Sequence, residues 1–269
     1  GLEWHDFPQG YRLPLKGGLY QHTLLTSGAN YHTGNHHRSR VETAATTMSL
    51  RGDRLALSYV QVNRLTLDGG SGGLPMGGPK VGHVVQSKAG GIDVDVGPAS
   101  SALSPDGKTL YLTGYLWRTG SWNATPGCYH VVYKLDYDKG GEPEVFKGGL
   151  KEPGTDNDHF RVPTSVATDA RGRVYVSDFV NDRVQVYDAE GRHLKTLKTY
   201  KPAQVCVHQK TGEVWVFSYP VVGVPHGMWK KYKYAPRDMK QTLTRFSAMP
   251  EGKKIATEPF PLGFADPMG

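Results

Sequence analysis

The stretch His159-Phe160-Arg161-Val162-Pro163-Thr164-Ser165-Val166-Ala167-Thr168-Asp169-Ala170-Arg171-Gly172-Arg173-Val174-Tyr175-Val176-Ser177-Asp178 opens a segment, continuing to Thr199, that decides the fold. Val162 to Thr168 reads as an extended run, and it stops at the turn Asp169-Ala170-Arg171-Gly172. Gly at the end of such a turn supplies the left-handed backbone that a tight reversal needs. Val174 to Asp178 then alternates apolar and polar residues, as a strand with two different faces does. Val184-Gln185-Val186-Tyr187 alternates again, and Asp188-Ala189-Glu190-Gly191 closes the next hairpin. His193 to Thr199 makes a fourth, exposed strand. Four short strands joined by Gly-containing turns within about 40 residues make one blade of a β-propeller.

The same grammar recurs on both sides. Upstream, Ala99 to Ser104 leads through Pro105-Asp106-Gly107-Lys108 into Thr109-Leu110-Tyr111-Leu112-Thr113, with Tyr129 to Asp136 and Pro143 to Lys147 as outer strands. Downstream, Gln204 to His208 turns at Lys210-Thr211-Gly212-Glu213 into Val214-Trp215-Val216-Phe217, followed by Thr242 to Ser247 and Lys254 to Thr257. Thr43 to Leu50 and Arg54 to Ser58 begin a further blade, with outer strands expected near Arg64 to Leu67 and His83 to Gln86 around a flexible Gly69 to Gly73 loop. The expected fold is therefore all-β, a propeller of four-stranded antiparallel blades with four recognisable blades, open to being part of a larger ring. The blades fall at about 41–97, 98–152, 159–200 and 201–262, after an N-terminal extension (1–40, a candidate ring-closing strand through Leu19 to Thr26) and before a 263–269 tail.

His159 to Pro163 together with Val174 to Tyr187 resembles an NHL repeat, and the turn Ser104 to Tyr111 resembles, less specifically, those of YVTN and SMP-30/gluconolactonase-like propellers. The NHL family pairs an acidic residue on the second strand with an Arg on the third. Asp178 and Arg183 are that pair here, read as a structural ion pair, and the matching second-strand positions elsewhere are Gly114 and Ser218. The resemblance carries the fold further than any activity, because one fold hosts many functions.

Composition agrees with a turn-rich globular chain: 269 residues, 38% hydrophobic, with Gly 34 and Pro 18. No apolar run is long enough to span a bilayer as a helix. Cys128 and Cys206 have no metal-type spacing and fall on non-neighbouring blades, so both read as free thiols. The start at Gly1 without Met, and the stop at Gly269, read as a processed or partial piece of a larger parent chain in a secreted or periplasmic protein. The net charge is +7, and +6 of it lies between Met228 and Lys254: eight basic residues (Lys230, Lys231, Lys233, Arg237, Lys240, Arg245, Lys253, Lys254) against Asp238 and Glu251. Such a cluster suits an anionic partner, although charge runs are also simple solvated faces.

Loop length points to one end of the ring. First-to-second and third-to-fourth strand connections are mostly tight hairpins, whereas several second-to-third and inter-blade connections are long. The long ones hold the unusual residues, and loops on rigid scaffolds are where binding chemistry sits. Two candidate sites follow. One is a metal site for Zn²⁺ or Ca²⁺ from His36 or His37, His159 and His226 with Asp156 or Asp158, serving a lyase or hydrolase like the amidating-lyase and lactonase propellers. The other is a binding surface for an anionic polysaccharide, glycan or protein, with nucleic acid a weaker candidate. It is built from Trp117, Arg118, Trp122, Trp229, Lys230 and Lys231, with Tyr232, Lys233 and Tyr234. The same aromatics also suit packing of the long loops onto the ring.

Overall fold

The computed structural model describes residues 98, 100–115, 129–220 and 239–260 in full, and six strands between residues 45 and 96 by their backbone course. Blade 1 consists of β1 (Ala45–Met48), β2 (Leu55–Ser58), β3 (Gln61–Leu65) and β4 (Lys80–His83). A separate hairpin, β5 (Val85–Ala89) and β6 (Ile92–Val96), follows it. Blade 2 comprises β7 (Ser100–Leu103), β8 (Thr109–Thr113), β9 (His130–Asp136) and β10 (Glu144–Gly149). Blade 3 comprises β11 (Pro163–Thr168), β12 (Val174–Asp178), β13 (Arg183–Tyr187) and β14 (His193–Lys198). Blade 4 comprises β15 (Pro202–Val207), β16 (Val214–Ser218), β17 (Thr242–Phe246) and β18 (Lys254–Pro259). Each of the four is an antiparallel sheet whose strands pair in chain order.

The expected blades are present, with one difference. Blade 1 ends at His83, and Val85 to Val96 forms its own hairpin in place of a longer fourth strand. Its innermost pair is Ala89 with Ile92.

Blade 3 shows why these sequences turn where they do. Asp169-Ala170-Arg171-Gly172-Arg173 and Asp188-Ala189-Glu190-Gly191-Arg192 repeat one pattern at two hairpin tips. Asp169 Oδ1 accepts the N–H groups of Arg171 and Arg173, and its Oδ2 takes Arg173 Nε at 2.6 Å. Asp188 makes the same contacts with Glu190 and Arg192. Gly172 and Gly191 sit at φ 81° and 84°, where an L side chain is strained.

Inner strands stand side by side, β1 against β7, β7 against β11 and β11 against β15. The apolar cores lie between blades. Ala102, Tyr111 and Val132 of blade 2 pack with Val166, Val174, Val176 and Tyr187 of blade 3. Tyr175, Val184, Val186 and Leu197 of blade 3 pack with Val205, Val207, Val214, Val216 and Phe246 of blade 4. A sheet buried on both faces loses simple alternation, and β12 and β13 are buried at every residue.

Candidate ligand-binding face

One end of the blades is built around the 150–162 connection between blades 2 and 3. This segment lacks ladder partners, so its carbonyls need donors from elsewhere. Arg183, at the start of β13, supplies them. Its Nη1 bonds the Thr155 carbonyl at 2.7 Å, and its Nη2 bonds the carbonyls of Asp156 (2.7 Å) and His159 (3.0 Å). Arg183 Nε meets Asp178 Oδ2 at 2.7 Å, with Asp178 fully buried, so the expected ion pair exists and holds the loop. Asp178 also accepts Arg161 N–H and Asn181 Nδ2, and Asn181 donates to the Gly154 carbonyl. Burial raises the Asp178 carboxyl to about 6 against the pull of these donors. Further in, Tyr187 OH donates to the Asn157 carbonyl at 2.8 Å, and Phe160 is completely buried beside it.

His159 and Asp158 share this loop but take different partners. His159 Nδ1 lies 2.9 Å from Asp156 Oδ1, and its Nε2 lies 3.9 Å from Glu152 Oε2. The bond to His159 is the largest of the effects that hold the Asp156 carboxyl below the ordinary carboxylate range. Asp158 pairs with Lys147 Nζ at 2.7 Å. Among the described residues no three His, Cys, Asp or Glu side chains converge as a metal site. His36, His37, His226, Trp117, Arg118, Trp122, Trp229, Lys230 and Lys231 lie outside the described residues.

A cleft absent from the sequence-based expectations opens where blades 3 and 4 meet, with a volume of about 620 Å³. Thr155, Asn181, Asp182, Arg183, Lys198, Thr199, Tyr200 and Lys254 are among its lining residues. Arg183 is committed to Asp178, and Asp182 to Lys201 Nζ at 3.0 Å. Lys198 and Lys254 have no carboxylate partner among the described residues, which leaves the cleft cationic. Thr199, only 4% exposed, has a hydroxyl without a hydrogen-bond partner there. Sequence spacing does not reveal this site, because Lys198 and Lys254 are brought together only by the stacking of two blades.

The NHL repeat family model matches residues 160–187, which is the Asp178–Arg183 blade. Peptidylglycine alpha-amidating monooxygenase of Rattus norvegicus is 32% identical over 95 residues, 34% of this chain and 10% of that protein. Among solved structures, the hydrazine synthase of Kuenenia stuttgartiensis superposes with a TM-score of 0.51 at 14% identity, over 94% of this chain and 53% of that one. The chain thus spans a tenth of that curated relative and about half of that solved chain. Blade order, inter-blade cores and the likeness in fold agree: the chain is a β-propeller whose blade at residues 160–187 matches the NHL repeat.

Proposed function

We propose that this propeller binds an anionic polymer, a sulfated or carboxylated glycan in a secreted or periplasmic setting, along its long-loop face and into the cleft between blades 3 and 4. The observation that carries the reading is the cleft itself. Among the described residues nothing compensates the charge of Lys198 and Lys254, and the Thr199 hydroxyl lies in the cleft wall without a partner. Threonine and tyrosine hydroxyls add neutral donors whose hydrogens sulfate and carboxylate oxygens accept. Trp229, Lys230 and Lys231, with Trp117, Arg118 and Trp122, would extend the surface. Heparin-column elution tests this. Lys198→Glu/Lys254→Glu is expected to lower the eluting salt clearly, and wild-type affinity is expected to fall steeply with salt, as counterion release requires. An unchanged elution position would overturn the reading.

A second reading is a metal-dependent lyase or hydrolase. Its support is the match to the amidating monooxygenase, together with the His159 imidazole, whose Nδ1 is oriented by Asp156 while Nε2 points toward Glu152. The residues that would complete a Zn²⁺ or Ca²⁺ site are His36 or His37 and His226. Stoichiometric metal lost on both His159→Ala and His226→Ala would favour this reading over the first.

A further inference from the structure

The cleft between blades 3 and 4 has a carboxylate among its cations, and strained backbone fixes where it stands. Asp182, in the turn between β12 and β13, lies at φ 56°, and Lys201, just ahead of β15, at φ 33°. Left-handed backbone is uncommon outside glycine and costs free energy, so both residues are held by what surrounds them. They hold each other. Asp182 Oδ1 accepts the Lys201 N–H at 2.9 Å, and its Oδ2 accepts from Lys201 Nζ at 3.1 Å. The Asp182 carbonyl accepts the Thr199 N–H at 3.0 Å. Lys201 Nζ also bonds the Val180 carbonyl, and its side chain is 12% exposed against 50% for that of Asp182. The lysine is turned inward, while the carboxylate lines the cleft. A carboxylate offers about four lone-pair sites, and Lys201 leaves part of them open.

Tyr200 lines the same cleft and is 43% exposed. Its backbone is tied down on both sides, because Ser218 Oγ donates to its carbonyl and the preceding Thr199 N–H donates to Asp182. An exposed ring on a fixed backbone is a platform formed before any ligand arrives. Lys198 is the cross-strand partner of Arg183, the residue after Asp182, and the Asp182–Thr199 bond carries that pairing one step further. Carboxylate, ring and Lys198 ammonium therefore belong to one corner of blade 3, and β18 of blade 4 contributes Lys254.

Resting on the anionic-glycan reading above, we infer that Asp182 and Tyr200 select a sparsely charged glycan, one that alternates a uronic acid with a neutral sugar. The neutral pyranose lays its C–H face on Tyr200 and donates hydroxyl hydrogens to Asp182. The neighbouring uronate carboxylate meets Lys198 and Lys254. A chain sulfated on every sugar puts anionic groups where Asp182 needs donors, and like charges repel there. Single-stranded nucleic acid also carries hydroxyls, rings and anionic groups. The cleft favours the sugar, because Tyr200 is the one aromatic among its described lining residues, whereas base binding strings successive aromatics along a strand.

Fluorescence-anisotropy titration of the 269-residue chain tests this with labelled probes. They are an unsulfated oligosaccharide of alternating glucuronate and N-acetylglucosamine, a fully sulfated heparin oligosaccharide of equal length, and oligouridylate RNA. Asp182→Asn keeps a residue that tolerates left-handed backbone. It is expected to weaken binding of the unsulfated probe about tenfold, the loss of a hydrogen bond to a charged acceptor, and to leave heparin binding equal or tighter. Tyr200→Ala is expected to weaken the unsulfated probe several-fold, and Tyr200→Phe, which keeps the ring, to restore it. Equal losses for both glycans in Asp182→Asn would mean a structural role and overturn the inference. Unchanged binding of the unsulfated probe in Asp182→Asn and Tyr200→Ala would overturn it too, as would RNA binding more tightly than either glycan. Failure of the underlying reading has a different signature: Lys198→Glu/Lys254→Glu would leave the affinity for both glycans unaltered, and reading and inference would fall together.

Discussion

At the scale of single residues, the Asp178–Arg183 pair does more than bridge two strands. Its guanidinium is the anchor for three loop carbonyls, so removing it orphans a buried carboxylate and a loop together. Arg183→Ala is expected to destabilise the protein by roughly 3–5 kcal/mol in urea denaturation, and Arg183→Lys to recover only part of that, because an ammonium lacks the planar fork. Asp156 gives a pH-dependent contribution whose sign is fixed by its lowered pKa. A carboxyl held below its ordinary value binds its proton more weakly when folded, so its stabilisation is present above the ordinary value, near 3.8, and disappears as pH falls below it. The melting-temperature gap between wild type and Asp156→Asn is therefore expected to narrow as pH is taken from 6 down through the ordinary carboxylate range near 4. The Asp178–Arg183 pair was legible in the sequence because it sits at fixed positions of a repeat. The loop carbonyls it serves were not, since they lie more than twenty residues away and meet it only in space.

At the scale of elements, the hairpin tips were the most readable feature. Asp-Ala-x-Gly-Arg places a carboxylate two and four residues before the N–H groups it accepts, and places glycine where φ is positive. All of that information is local. Gly172 has open space around its Cβ position, so Gly172→Ala tests backbone strain without a clash. It is expected to cost about 1 kcal/mol in equilibrium unfolding, and Gly172→Asn less, since Asn tolerates the left-handed region. Strand ends were less readable. The fourth strands of blades 3 and 4 carry bulges, at Leu194 and Ile255, and these exposed aliphatics interrupt pairing on the outer edge. Bulged edges deter sheet-to-sheet association, and nothing in the alternation of Leu194 or Ile255 announces them.

At the scale of the molecule, each blade's inner surfaces are completed by its neighbours. Tyr175 is wholly buried in the seam between blades 3 and 4, whereas Trp215, in the matching position one blade later, is half-buried. Tyr175→Ala is expected to cost about 3–5 kcal/mol in the 269-residue chain, the range for large core aromatics, and Trp215→Ala about 1 kcal/mol or less. The sequence by itself determined the strands, their tight turns and the stacking plan, because alternation, turn chemistry and repeat length are local properties of the chain. Tertiary structure decided which lysines share a cleft and which carbonyls Arg183 serves. Those depend on contacts between residues far apart in sequence, and a linear pattern of side chains does not encode distance across a seam.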